Sequence, residues 1–147
     1  MICLNRLLIV VLVGVAVHAR GEEIERNFET TDTPNVTIEN KKGSITVIGW
    51  DENRVRVTGT VGNDVTRVDI DDDADSPDID VVSSKWKSEN AEAKLTIYVP
   101  RGASLDIETV SAPISVSGVS GSSLELQTTS GSIDVDGGFS NTEIEGV

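Results

Sequence analysis

From Val36 onward apolar and polar residues alternate along most of the chain: Val36/Ile38, Ile45/Val47, Val55/Val57, Leu95/Ile97/Val99, Leu105/Ile107, Ile114/Val116, Leu124/Leu126 and Ile133/Val135. A period of two is the pattern of strands with one face buried. Beyond Glu23 no window of ten or more residues sustains apolar spacing of three and four, and Gly, Ser, Thr and Asn keep interrupting. The pattern predicts an all-β protein with at most a short helical turn.

The alternation also repeats as a unit. Leu105-Asp106-Ile107-Glu108 is followed by Ala112-Pro113-Ile114-Ser115-Val116-Ser117-Gly118. Nineteen residues further on, Leu124-Glu125-Leu126-Gln127 is followed by Gly131-Ser132-Ile133-Asp134-Val135-Asp136-Gly137. A copy with the same internal spacing stands upstream, Val36-Thr37-Ile38-Glu39 before Gly43-Ser44-Ile45-Thr46-Val47-Ile48-Gly49, and a further unit opens at Thr142-Glu143-Ile144-Glu145. Two short strands cannot bury their apolar face alone, and stacking equivalent units solves this. Leu105 would sit under Leu124 and Ile114 under Ile133, about 4.8 Å apart, in a β-solenoid with coils of about 19 residues. Gly118, Gly131 and Gly137 would supply the backbone conformations that corners demand. The alternative is an antiparallel β-sandwich with hairpins at the Ser-Gly turns.

Residues 50–100 break the repeat. Arg54 to Val61 and Lys94 to Val99 read as strands, Asp69 to Asp80 as a carboxylate-rich loop, and Ser83 to Ala93 as a polar connection carrying Trp86. This is an elaborated β insertion between early and late coils.

The first residues follow different rules. Arg6 precedes the uncharged apolar run Leu7 to Val17, broken only by Gly14, and Val17-His18-Ala19 has the spacing of a processing site. Residues 1–19 therefore read as a secretory signal peptide. The run is too short to span a bilayer as a helix, which takes about 20 residues, so no transmembrane segment is expected after cleavage. Residues 20–33 read as a polar lead and 34–147 as the β-domain. The expected location is extracytoplasmic: periplasm, cell surface or secreted.

Removing the leader removes Cys3 and His18, the one cysteine and the one histidine. Cysteine nucleophiles, histidine-based triads, zinc sites built on Cys or His, and disulfides then lack their atoms. It also removes Arg6, leaving 11 basic residues against 25 acidic ones, a net charge of −14. A polyanion would meet a surface of its own sign, so nucleic acid is not expected as a partner.

Tyr98-Val99-Pro100-Arg101-Gly102-Ala103-Ser104-Leu105-Asp106-Ile107, then Val110-Ser111-Ala112-Pro113-Ile114-Ser115-Val116, then Thr129-Ser130-Gly131-Ser132-Ile133-Asp134-Val135, resembles the bacterial putative adhesin domain family. The likeness covers most of Val36 to Val147 and is strongest from Leu95. It implies an exported β-solenoid with no catalytic residues to carry over. The turn Ser111-Ala112-Pro113 departs from Ser-Gly, implying a corner that tolerates a Cβ. The chain stops at Gly146-Val147, short of the next expected Ser-Gly turn, which fits a truncated product.

Candidate chemistry is confined to carboxylates and hydroxyls. Asp69, Asp71, Asp73 and Asp75, with Asp78 and Asp80 beyond, have the odd-position spacing of a calcium loop. An EF-hand would need Gly at Ala74 and Glu at Asp80, so the expectation is a looser calcium site. Stacked coils would align Asp106, Glu125 and Glu143 in an outward acidic column, open to shared cations or a basic partner. Ser115, Ser117, Thr128 and Gln127 would form a flat hydrogen-bonding face suited to a polysaccharide. Asp134 and Asp136 have a spacing that a carboxylate-only glycosidase could use. Glu143 and Glu145 satisfy it equally, and no aromatic platform lies nearby in sequence, so no catalytic residue is assigned. Asn35-Val36-Thr37 fits a glycosylation pattern that matters only in a eukaryotic secretory pathway, and the family resemblance implies a bacterial source.

The sequence thus points to a non-enzymatic binding module, contacting a cell-surface or envelope component, polysaccharide or protein. The alternative is a periplasmic structural or sensory module that docks another protein. Self-association through an open solenoid end is a further expectation, because unpaired backbone groups there seek a partner.

Overall fold

The computed structural model describes residues 22–85 and 87–146. Residues 1–21, which include the expected signal peptide, and Trp86 and Val147 lie outside them. Twelve strands are present among the described residues: β1 (Glu22–Glu29), β2 (Asn35–Asn40), β3 (Gly43–Trp50), β4 (Arg54–Val61), β5 (Arg67–Asp71), β6 (Asp78–Val82), β7 (Ala93–Pro100), β8 (Ser104–Thr109), β9 (Ile114–Val119), β10 (Ser123–Thr128), β11 (Ile133–Gly137) and β12 (Asn141–Gly146). The only helical element among the described residues is the 3-10 turn Glu89–Ala91.

The strands form two six-stranded mixed sheets, neither of them closed. Sheet A has the order β1-β4-β7-β3-β9-β11 and sheet B the order β12-β10-β8-β2-β6-β5. Both contribute to one apolar core, a two-layer layout of the kind the sandwich alternative required. The strands flanking the Gly43, Ala112 and Gly131 turns do not pair as hairpins, however. β2 and β3 lie in different sheets, as do β8 and β9, and β10 and β11.

Within each sheet the three repeat copies stack in parallel and in register. Leu105 pairs with Val36 on one side and Leu124 on the other, and Ile114 pairs with Ile45 and Ile133. Apolar ladders result. In sheet B, Ile79, Ile38, Ile107, Leu126 and Ile144 stand in a row; the first four are fully buried and Ile144 is 50% exposed. In sheet A, Ile97, Val47, Val116 and Val135 do the same. Each fully buried side chain of these ladders contributes about 1.5–3 kcal/mol by leaving water.

The middle segment joins this stack. β6 and β7 return beside β2 and β3 in parallel, on the side away from β8 and β9. Antiparallel pairing is confined to that margin, where β4 pairs with β7 and β1, and β5 pairs with β6. Two expectations need correction here. Asp69 to Asp80 is not all loop: Val68/Ile70 and Ile79/Val81 place apolar residues at alternate positions, enough to build β5 and β6 around residues 72–77. The stretch taken as a polar lead contains β1, whose Ile24 and Phe28 pack on the core edge.

The glycine reading also changes in part. Gly118 has φ +72, as the corner reading required. Gly131 and Gly137 do not have positive φ; a Cβ there would lie 2.3 Å from the Ala112 carbonyl oxygen and 2.4 Å from that of Val119. These two positions need space rather than unusual backbone angles.

Candidate functional site

The stacking register decides which side chains share a surface. On the outer side of sheet B, one row runs Asp71, Asp78, Thr37, Asp106, Glu125, Glu143 across β5, β6, β2, β8, β10 and β12. The next runs Asp69, Asp80, Glu39, Glu108, Gln127, Glu145. Ten of these twelve positions are carboxylates, and neither row holds a Lys or Arg. Neighbours across strands are about 4.8 Å apart, so the carboxylates repel one another. Burial, then Asp80, Glu108, Asp78 and Asp106, push the Glu39 carboxyl above its ordinary value. Burial, then Asp80, Asp71 and Asp106, raise Asp78 in the same way. Relief within the face is local: Arg67 Nε sits 2.8 Å from Asp69, and Gln127 donates to Glu145 at 2.9 Å.

The expected acidic column of Asp106, Glu125 and Glu143 is therefore present and forms part of a wider grid. The expected calcium ligands are not brought together. Asp69 and Asp71 are on β5, while Asp73 lies in the following loop, where its carboxylate accepts from the amides of Asp75 and Ser76 at 2.9 and 3.1 Å. Among the described residues, no group of three or more acidic side chains has an arrangement that could hold a metal ion.

The expected hydroxyl face is divided. Ser115 and Ser117 look outward from sheet A, Gln127 outward from sheet B, and Thr128 is buried. The physical reason is parity: Thr128 shares its face of β10 with Leu124 and Leu126. There it accepts from the Gly131 amide at 3.0 Å and lies 3.0 Å from the Thr109 hydroxyl, itself 3.1 Å from the Ala112 carbonyl oxygen. Asp134 and Asp136 are exposed on β11 beside Ser115 and Ser117, on a flat surface rather than across a cleft.

Sheet A carries a different chemistry. One outer row runs Asn27, Arg56, Tyr98, Ile48, Ser117, Asp136, and the next Glu25, Thr58, Thr96, Thr46, Ser115, Asp134. Trp50, at the end of β3, extends the first row's apolar part. Its ring lies against that of Tyr98, with centroids 5.2 Å apart and planes tilted by 35°. The indole N–H donates to the Arg54 carbonyl oxygen at 2.9 Å, which fixes the ring. This aromatic pair is invisible in the sequence, because 48 residues separate its members and only the β3–β7 register joins them. The signal available was parity: Ile48, Trp50 and Tyr98 occupy the outward positions of strands whose inward positions are already apolar.

A solved bacterial protein has the same architecture. A putative cell adhesion protein from Clostridium sporogenes matches 86% of this chain and 68% of its own at 13% identity, with a TM-score of 0.62. The chain shares its fold with that protein. A putative adhesin from Bacteroides fragilis matches 86% of this chain and 68% of its own at 15% identity, with a TM-score of 0.47. Both proteins are described by names of the same kind as the domain family that the coil motif resembles. No protein-family model and no curated protein matches the sequence.

Proposed function

We propose that this chain is a non-enzymatic, extracytoplasmic binding module of the adhesin type, its late strands forming the coils of a β-solenoid. The observation that carries the reading is the outer surface of sheet B, ten carboxylates in two in-register rows without a basic residue among them. Keeping like charges this close costs stability, and a partner that neutralises them recovers it. The depression bordered by Thr37, Asp106, Glu125 and Glu143 is partly open to solvent, a geometry suited to surface contact. No helix among the described residues is long and apolar enough to cross a membrane.

The partner in this reading is a cell-surface or envelope component, polysaccharide or protein. Ile144 on β12 adds a place for self-association, as the one large apolar side chain exposed among the described residues. The second reading is a periplasmic structural or sensory module docking another protein. It draws on the same acidic surface, which complements a basic protein face.

Protease accessibility on intact cells tests the proposal. Digestion while the envelope is closed is the expected result. Protection until the outer layer is opened would overturn the adhesin reading and leave the periplasmic one.

A further inference from the structure

We infer that the outer face of sheet A is a binding site for a neutral glycan chain, with Trp50 and Tyr98 as the stacking platform. This deepens the proposed function and rests on it for the polysaccharide class of partner. Hydrophobic burial would place Trp50, Tyr98 and Ile48 inward, yet all three project from the outer side and are only partly covered. Tyr98 lies opposite Ile48 across the β3–β7 ladder, and the Trp50 ring closes against it. The product is a small, rigid apolar platform on an otherwise polar surface.

A pyranose ring has matching chemistry, with C–H bonds on its faces and hydroxyls around its rim. Stacked on the platform, its rim meets the adjoining row Thr58, Thr96, Thr46 and Ser115, one hydroxyl per strand at about 4.8 Å. Thr46, Thr96 and Ser115 make no side-chain hydrogen bond to any described residue, so their hydroxyls are open to a ligand. Arg56 supplies an independent sign. It pairs with Tyr98 in register, and its Nε is buried without a hydrogen-bond partner. Its Nη2 contacts Glu25 at 3.1 Å in an ion pair whose side chains are 42% and 68% exposed. Exposed pairs of this kind hold weakly, so the guanidinium can turn over the platform and give Nε a sugar oxygen.

The surroundings decide the charge of the ligand. The hydroxyl row is bounded by Glu25 on β1 and Asp134 on β11; of the cations on this face, Arg56 is paired with Glu25 and Lys94 stands one row further out, and the whole sequence carries a net charge of −13. An anionic saccharide would approach carboxylates at both edges. A protein partner would need about 1,200–2,000 Å² of interface with a larger apolar centre than three side chains provide.

The test is calorimetric titration of the exported chain with a neutral β-1,4-linked glucose hexasaccharide and with an anionic galacturonate hexasaccharide. Binding of the neutral probe is expected. Trp50→Ala and Tyr98→Ala should each weaken it roughly tenfold or more. Asp72→Asn, in the exposed loop between β5 and β6, should leave it unchanged. Thr96→Val, a nearly isosteric change at a partly exposed position, keeps the test open if an aromatic variant misfolds; a severalfold loss is expected. Absence of neutral-probe binding at 10 mM, on the order of the weakest useful affinity, would overturn the inference. Undiminished binding by folded Trp50→Ala and Thr96→Val, or preference for the anionic probe, would do the same. Cell accessibility is scored separately: a surface-exposed chain that ignores glycans keeps the binding-module reading, and a protected chain that binds them keeps the site.

Discussion

Glu39 and Asp78 show what stacking in register costs individual residues. Both carboxyls are held above their ordinary values of 4.5 and 3.8, by burial first and then by neighbouring carboxylates. The folded chain therefore binds these protons more tightly than the unfolded chain does. Stability from these groups falls as pH rises through the interval just above those ordinary values, and is recovered as pH falls back through it. The thermal midpoint should be higher near pH 5 than near pH 7.5, and Glu39→Gln should reduce that difference. At pH 7.5 the same substitution should stabilise by about 0.5 kcal/mol, because it removes like-charge contacts with Asp80 and Glu108 that water already screens. A buried hydroxyl has the opposite balance. Thr128→Val leaves the Gly131 amide without its acceptor and should cost about 1–3 kcal/mol in chemical denaturation, whereas exposed Thr129→Val should cost almost nothing.

At the level of strands and corners, stability comes from the continuity of the ladders. Leu126 is fully buried between Ile107 and Ile144, so Leu126→Ala should cost about 2–5 kcal/mol. Equivalent corners are not equally tolerant. Ala112 is buried with its methyl accommodated, while a methyl on Gly131 would meet the Ala112 carbonyl oxygen at 2.3 Å. Gly131→Ala should therefore destabilise by more than about 2 kcal/mol, since rigid backbone must move, and Ala112→Gly by only about 1 kcal/mol. Denaturation midpoints of the two variants, compared directly, check that ordering.

For the whole molecule, charge separates the two outer surfaces. Sheet B presents the carboxylate grid, and sheet A the aromatic and hydroxyl rows. Added monovalent salt should raise the thermal midpoint by screening the grid, within a Debye length of about 10 Å at 0.1 M. Millimolar calcium should produce no shift beyond that of an equal ionic strength of sodium chloride, because Asp69, Asp71, Asp73 and Asp75 do not converge. A larger calcium shift, abolished in Asp73→Asn, would restore the calcium-loop expectation.

Much of this architecture was legible in the sequence, because period-two alternation reports which side of a strand is buried and the offsets of seven, nine and nineteen report what stacks on what. Those signals are local, and they sufficed for the all-β class and for the pairs Leu105/Leu124 and Ile114/Ile133. They failed where the inner positions were few, as in β5, β6 and the Glu22–Glu29 strand, since short or edge strands carry little alternation. The partition of outward residues between two surfaces was beyond any local signal. Ser115 and Gln127 look alike in sequence and lie on opposite sheets, Thr128 turned inward with Leu126, and Trp50 met Tyr98 through a parallel pairing that only long-range packing establishes. The residue sequence by itself determined which apolar side chains of the repeat strands are buried. The tertiary structure alone decided which of the exposed ones share a surface, because that depends on strand order across the sheets, and strand order is set by packing the whole core.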